Sequence, residues 1–307
     1  MQYTFIVNPN SRSGKGQEEW SVIEEILKEH QTDYQVFFTS RRNHAIKIVR
    51  SLMEEEPGEL TLIVLGGDGT LNEVINGITD FSRVTLGYIP IGSSNDFARG
   101  MHLTKNYRKA LHSILNPSSY VNLNVGVAHF QGKERRFIVS SGIGYDAGIC
   151  HQVLVSKLKV FFNKFHLGKL SYPAVGIERL LKLTPKAMTL SMDGGDVIPF
   201  PHTYFIAAFN TQYEGGGFKF CPDADPTDGL LDIIVVAGIP KWKALLLLPV
   251  ALFGKHAGFN GIYLYRCHRA DIVSVAALPV HTDGEPVFLK RQLCFALEPE
   301  NLRFIIS

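Results

Sequence analysis

Carboxylates set among glycines and turn residues are the groups in this sequence best placed to do chemistry. Asp68 stands inside Gly66-Gly67-Asp68-Gly69-Thr70-Leu71-Asn72-Glu73, with three glycines around one acid. Glycine permits positive φ and lets a backbone approach a ligand closely, and N–H groups at a following helix start suit phosphate oxygens. Neither the dinucleotide G-x-G-x-x-G pattern nor the Walker G-x-x-x-x-G-K-[ST] pattern fits this corner, so a phosphate cradle here is of another kind. A tight structural turn with an Asp cap is the ordinary alternative. Further along, Asp223, Asp225, Asp228 and Asp232 place four carboxylates within ten residues of a turn-rich loop. Hard oxygen ligands around a glycine turn suit Mg²⁺ or Ca²⁺. The EF-hand pattern is not met, because no Glu stands at its twelfth position, and a solvated acidic turn uses the same residues. Lastly, His281-Thr282-Asp283-Gly284-Glu285-Pro286 contains an Asp-Gly pair suited to a hairpin turn. Asp283 and Glu285 could instead supply a general base.

Strand ends must position these groups. Leu62 to Leu65 is a short Ile/Val/Leu run of the kind buried on both faces of a parallel sheet. After the glycine corner, Leu71, Val74, Ile75 and Ile78 have helical spacing. Tyr3 to Val7 predicts a first strand that opens into Asn8-Pro9-Asn10-Ser11-Arg12-Ser13-Gly14-Lys15-Gly16, a small basic loop. It is either a flexible surface loop or a second phosphate-facing loop at the same sheet edge. A helix follows with Trp20, Ile23, Ile26 and Leu27 on one face. Tyr34 to Phe38 predicts a second strand with Thr39 and Ser40 at its end, Asn43 to Met53 an amphipathic helix, and Val84 to Ile89 a fourth strand after Leu60 to Leu65. Pro90-Ile91-Gly92-Ser93-Ser94-Asn95-Asp96-Phe97-Ala98-Arg99-Gly100 is then a third loop of the same character. Residues 1 to 122 are expected to form an open α/β domain.

From Tyr120 onward short alternating segments appear at 122–128, 136–139, 187–192, 203–209, 231–236, 272–276 and 292–297. Such spacing predicts an antiparallel sandwich. Tyr213-Glu214-Gly215-Gly216-Gly217-Phe218 interrupts it as a bulge, tight bend or hinge. Two helical inserts are expected. The first, 151–183, combines Lys157, Lys159, Lys164 and Lys169 with Phe161, Phe162 and Phe165. That mixture suits a membrane interface, and equally a helix packed on its own domain. The second, Lys241 to Phe253, opens Lys-Trp-Lys and continues almost wholly apolar. The 307 residues are 45% hydrophobic and 20% charged with net charge +2, an ordinary globular balance that gives no argument for nucleic acid. Cys150, Cys221, Cys267 and Cys294 lie far apart without C-x-x-C spacing, as free thiols in a reducing compartment do. The N-terminus enters a strand pattern directly, and no apolar run approaches the ~20 residues that span a bilayer. A cytoplasmic protein, peripheral at the inner membrane face at most, is expected.

Taken in order, Asn8-Pro9 with Gly14, the Gly66–Glu73 corner, the Pro90–Arg99 loop, Asp228-Gly229-Leu230-Leu231-Asp232 and Asp283-Gly284-Glu285 form a pattern. It resembles the soluble diacylglycerol kinase family, which includes bacterial lipid kinases and the catalytic cores of sphingosine and ceramide kinases. The resemblance runs from about residue 3 to the C-terminus. The GGDGT corner is shared with NAD kinases; the other motifs are more specific. The resemblance implies an α/β nucleotide-binding domain over 1–122, an antiparallel β-sandwich over 123–307 whose tail from about 296 is able to return to the first domain, and ATP with Mg²⁺ in or beside the cleft between them. It places nucleotide contacts on Asn10, Ser11, Arg12, Ser13, Gly14, Lys15, Gly16 and Thr39, on Gly66, Gly67, Asp68, Gly69, Thr70, Leu71 and Asn72, and on Ser93. A structural Mg²⁺ falls on Asp225, Asp228 and the carbonyl of Leu230, and the catalytic carboxylates are Glu285, Asp283 and Asp68. The first loop is longer than the short NPxSG form, and Ser94 replaces a glycine found in many members. The implied reaction passes the γ-phosphoryl group of ATP to the hydroxyl of a lipid such as diacylglycerol, in phospholipid metabolism, with domain closure excluding water. An NAD-kinase-like enzyme and a non-catalytic nucleotide or lipid binder are the alternatives. Expected partners are a lipid alcohol, a membrane surface and a second copy of the chain, with no nucleic acid.

Overall fold

Leu60–Gly66 is buried through all seven residues, as a strand in the middle of a parallel sheet must be. The computed structural model describes residues 2–145, 147 and 180–306, and this segment is β3 of its first sheet. β1 (Tyr3–Val7), β2 (Tyr34–Phe38) and β4 (Val84–Pro90) run parallel to it. β15 (Leu302–Ile306) is parallel to β4 and antiparallel to β5 (Ser119–Leu123). The order is β2-β1-β3-β4-β15-β5. This compact unit comprises Met1–Val125, Pro226–Asp228 and Glu298–Ser307. Alternate strand residues Tyr3, Phe5, Val7, Ile63, Leu65 and Ile89 point to one face. There they pack with Trp20, Ile23 and Leu27 of α1 (Lys15–Glu29) and with Ala110, Leu111 and Ile114 of the helix Tyr107–Leu115. α2 (His44–Glu55) and α3 (Asp68–Gly77) cross at backbone distance, because a Cβ on Gly77 would stand 2.7 Å from Val49 Cβ and 2.9 Å from Ile46 O. The short α4 (Asp96–Gly100) precedes Tyr107–Leu115, which is α5.

The second unit, Gly126–Asp225 with Gly229–Leu297, is antiparallel. Its strands are β6 (Gly126–Phe130), β7 (Lys133–Phe137), β8 (Ser140–Gly144), β9 (Lys186–Met192), β10 (Ile198–Phe209), β11 (Leu231–Ala237), β12 (Ile262–Cys267), β13 (Arg269–Thr282) and β14 (Glu285–Leu297). Hydrogen bonds join them in the order β12-β11-β10-β8-β13-β14-β6-β7, with β9 paired to both β10 and β13. The long strands β10 and β13 each meet β8 at one end and β9 at the other. Register shifts in both strands mark bulges, which bend a strand and raise its twist. The network thus folds over one core containing Phe137, Ile143, Leu190, Ile206, Ile272 and Phe295. The opposite face of β10 and β11 presents Tyr204, Phe205, Ile234 and Val236 to Leu247 of α6 (Lys241–Leu252).

His256, 2% exposed, closes the α6 side of this second core by donating Nε2–H to Phe220 O at 2.9 Å. Burial pushes its pKa below 6.5. The unfolded chain therefore takes up this proton before the folded one does, so stability is full above pH 6.5 and falls as pH drops through the lowered folded value. The slope expected from this residue is at most about 1.4 kcal/mol per pH unit. Melting temperature measured between neutral and acid pH should fall less steeply in His256→Gln than in wild type; parallel curves would assign the acid sensitivity elsewhere.

Several segments differ from the sequence expectation. The single strand expected over 122–128 is two strands in different sheets. Asn124 separates them, its N–H donating to Pro226 O at 2.7 Å and its Nδ2 to Asn301 Oδ1 at 2.9 Å. The strand expected over 136–139 is likewise interrupted between β7 and β8, because the N–H groups of Ile138 and Val139 donate to the Asp283 carboxylate. β12 is an additional strand; most of its residues are exposed or partly so, which leaves no clean alternation. The insert expected over 151–183, with the lysines and phenylalanines between Val153 and Leu170, lies outside the described residues up to 179.

Candidate active site

β1, β2, β3 and β4 are parallel neighbours in register, Val7 opposite Phe38 and Leu65, and Leu65 opposite Ile89. Their C-terminal ends therefore share one edge of the sheet, where open α/β sheets bind ligands. The loop after β1 is closed on itself. Gly16 N donates to Ser11 O and Gln17 N to Pro9 O, both at 3.2 Å, while Arg12, Ser13 and Gly14 are left-handed with φ of 50°, 62° and 101°. Gly16 is obligatory here, since a Cβ would lie 2.1 Å from Asn8 O. Asn10 donates its N–H to Asn8 Oδ1 at 3.1 Å, and Asn8 Nδ2 donates to Thr70 Oγ1 at 3.1 Å, tying the loop to the glycine corner. Ser11 is buried; Arg12, Ser13 and Lys15 are exposed and offer their side chains to solvent.

At the corner, the β3 and β4 loops touch through backbone. A Cβ on Gly92 would sit 2.5 Å from Gly67 Cα and 2.6 Å from Asn95 Oδ1, and Ile91 N donates to Gly66 O at 2.9 Å. Asp68 faces this junction. Its Oδ2 accepts from Asp96 N at 2.9 Å and its Oδ1 from Phe97 N at 3.3 Å, so it caps α4 across 28 residues of chain. Asn95, left-handed at φ 51°, donates Nδ2 to Gly92 O at 3.0 Å. Tyr88 lies below, its phenol held well above its ordinary pKa by burial and by the charges of Asp68 and Asp96. Glu73 accepts from Asn43 N at 2.7 Å and Ala45 N at 3.1 Å, fixing the start of α2. Gly69 is partly exposed and Ser93 exposed, whereas Thr39 and Thr70 are buried. Leu71 and Asn72 are fully buried, so Leu71 contributes a side chain to the core and only backbone to the corner.

In the second unit the Asp283-Gly284 turn joins β13 to β14 with φ of 48° and 78°, the positive pair that a two-residue hairpin favours. The Asp283 carboxylate accepts three backbone N–H groups, from Ile138 at 2.9 Å, Val139 at 2.8 Å and Ser140 at 3.0 Å. Glu285 follows the turn, partly exposed and opposite Thr282 in the ladder. The geometry thus separates two carboxylates that the sequence could not: Asp283 anchors, and Glu285 stands beyond the anchor.

The acidic loop divides between the units, Asp225 and Leu230 belonging with the second and Asp228 with the first. Asp223, Asp225 and Asp228 are exposed. Asp232 is 7% exposed, and burial together with the charges of Asp223 and Asp225 pushes its carboxyl up to about 7. Its Oδ2 is buried with no hydrogen-bond partner among the described residues. Its Oδ1 lies 3.5 Å from Arg266 Nε, and the unpartnered Oδ2 beside the exposed Asp223 and Asp225 is the feature that fits a cation. Among the described residues no three Asp, Glu, His or Cys side chains gather tightly enough to hold a metal on their own, so a cation here would need backbone carbonyl support. The role of Glu73 at the start of α2 and the pairing of Asp68 with α4 were not among the expected site features, and Asp232, one of the four candidate carboxylates, was outside the ligand set that the resemblance implies.

The comparisons follow this architecture. The diacylglycerol kinase catalytic domain model matches residues 2–123, and the YegS C-terminal NAD kinase beta sandwich-like domain model matches 140–306. A diacylglycerol kinase of Bacillus subtilis (strain 168) is 30% identical over 230 residues, 73% of this chain and 70% of its own length. A diacylglycerol kinase from Bacillus anthracis str. Sterne has a crystal structure similar at TM-score 0.73 and 22% identity, covering 100% of this chain and 97% of that one. An NAD kinase from Archaeoglobus fulgidus, solved in complex with ATP, is similar at TM-score 0.55 and 12% identity, covering 99% of this chain and 93% of that one. An α/β nucleotide-type sheet followed by a β-sandwich, assembled from these two domains in this order, makes the chain a member of the diacylglycerol kinase family and a lipid kinase.

Proposed function

We propose that this enzyme transfers the γ-phosphoryl group of ATP to the hydroxyl of a lipid such as diacylglycerol. The reading is carried by one observation: the β3 and β4 loops of the first unit meet at Asp68 through the backbone approach of Gly67 to Gly92, and the β1 loop is tied to the same corner through Asn8 and Thr70. Arg12 and Lys15 are the exposed cations of the first loop and would meet phosphate oxygens. Glu285 would take the proton of the acceptor hydroxyl, with Asp283 fixing the turn that carries it. Asp225, Asp228 and the carbonyl of Leu230 would hold a structural Mg²⁺ that orders the sandwich, and Mg²⁺ with the nucleotide would offset phosphate charge. The deciding assay incubates the protein with labelled ATP, Mg²⁺ and diacylglycerol, monoacylglycerol, sphingosine, undecaprenol or NAD. Label in a lipid supports the reading; label in NAD alone, or in nothing, overturns it. Mg²⁺ should also raise the melting temperature, and Asp228→Ala should abolish that rise; a rise surviving the substitution would leave the loop a solvated turn.

A lipid kinase must reach a headgroup at a bilayer surface, and α6 suits that contact. Trp242, Leu246 and Phe253 are 65%, 62% and 73% exposed; the first two, four apart, share one helix face, and Phe253 caps the C-terminal end of α6. Lys241, Lys243 and Lys255 flank them, a basic rim that favours anionic lipid. Among the described residues no helix is long and apolar enough to cross a membrane, so the contact would be peripheral. Burying each large apolar side chain contributes roughly 1.5–3 kcal/mol. Leu246→Asp with Phe253→Asp should therefore weaken binding to phosphatidylglycerol vesicles by about 10²-fold or more, with melting temperature unchanged. Equal vesicle binding by the double variant would remove α6 from the interface.

A further inference from the structure

The turn that carries Glu285 is held from a second side by a residue just outside the Asp283-Gly284-Glu285 motif. His281 is 0% exposed and stands two residues before Asp283 on β13. Its Nδ1 accepts the N–H of Gly284 at 3.1 Å. An Nδ1 that accepts carries no proton, so the neutral ring holds its hydrogen on Nε2. Nε2 lies 3.3 Å from Oε1 of Glu214, whose side chain is only 12% exposed. Glu214 in turn begins the triple-glycine loop, which is closed by reciprocal Glu214–Phe218 backbone hydrogen bonds of 3.0 Å. The backbone carbonyl of His281 accepts from Ser141 Oγ at 2.6 Å. The ring is therefore fixed at both nitrogens and its backbone at a third point.

We propose that His281 is a positioning residue for phosphoryl transfer, orienting the Gly284 peptide and through it the backbone of Glu285. Gly284 N belongs to the Asp283–Gly284 peptide at the centre of the turn, so its hydrogen bond fixes the turn one residue before Glu285. Asp283, pinned to three amides, fixes the start of the same turn. A purely structural histidine would need only its volume and some polar partner. A positioning histidine needs its Nδ1 acceptor in particular, and the two requirements separate by substitution. The proposal rests on Glu285 being the proton acceptor.

Asparagine offers an oxygen near the place of Nδ1, whereas glutamine reaches toward the place of Nε2 and leaves Gly284 N without its acceptor. His281→Gln is expected to lower kcat about 10- to 100-fold, the scale of a misplaced reacting group, with KM for ATP unchanged. His281→Asn should recover most of that loss. Amide hydrogen exchange at Gly284 should be slow in wild type and in His281→Asn, and fast in His281→Gln. Equal loss in both variants, tracking their melting temperatures, would make His281 structural and overturn the proposal; so would a wild-type kcat in His281→Gln. If Glu285→Gln retains full activity, the underlying assignment of the base fails and this role falls with it, a result recognisable because Gly284 exchange stays slow.

Discussion

Glu285→Gln is expected to lower kcat for lipid phosphorylation by about 10²- to 10⁴-fold, the range for losing a general base, while ATP affinity and melting temperature stay near wild type. The contrast with Asp283→Asn gives this prediction its force. Asp283 spends its carboxylate on the amides of Ile138, Val139 and Ser140, and hydrogen bonds to a charged acceptor contribute roughly 1.5–3 kcal/mol each. Asparagine keeps one acceptor oxygen, so Asp283→Asn should cost about 2 kcal/mol or more, several degrees in Tm for a protein of this size. Its loss of activity should follow the loss of folded protein. Steady-state kinetics alongside thermal melts separate the two cases. A full-rate Glu285→Gln with a stable, inactive Asp283→Asn would transfer the base to Asp283.

The sequence carried much of the fold because its strongest signals are local. Leu60–Gly66 is apolar at nearly every position since both its faces are covered, and Trp20, Ile23 and Leu27 repeat because α1 buries one face. The two-domain order, α/β and then β-sandwich, followed from that contrast. Where neighbouring residues do not carry the signal, it was lost. Bulges in β10 and β13 break the alternation, so their lengths were underestimated. The corner glycines were visible, yet nothing local says that Gly67 needs Gly92 as its contact. The same holds for the carboxylates. Asp68 and Asp283 were legible as acids on turns, but their amide partners lie 28 to 145 residues away. His281 and Glu214 each looked unremarkable until β13 brought them within 3.3 Å. Long-range pairing of polar groups leaves no period in a sequence, and here it makes Asp283 an anchor for the amides of Ile138, Val139 and Ser140.

Asp68→Asn should reduce phosphoryl transfer by about 10²-fold or more, the scale of removing one preorganised electrostatic group from a reaction centre, without unfolding the first unit. The carboxylate has two separable tasks. Structurally it caps α4 by accepting from Asp96 N on Oδ2 and from Phe97 N on Oδ1, and asparagine keeps an acceptor oxygen for one of these two bonds. Electrically it places a negative charge at the junction of the β3 and β4 loops, close enough to raise the pKa of Tyr88 beneath it together with Asp96 and burial. Asparagine keeps part of the first task and removes the second, whereas alanine removes both. If charge is what the reaction requires, Asp68→Asn and Asp68→Ala should be equally inactive and alanine should lose more stability than asparagine, by about 1 kcal/mol for the remaining cap bond. If Asp68 serves only to hold α4, asparagine should retain most of the activity and alanine should lose it. Measuring kcat, ATP affinity and melting temperature for the pair distinguishes these outcomes, and an active, stable Asp68→Asn would confine Asp68 to the scaffold.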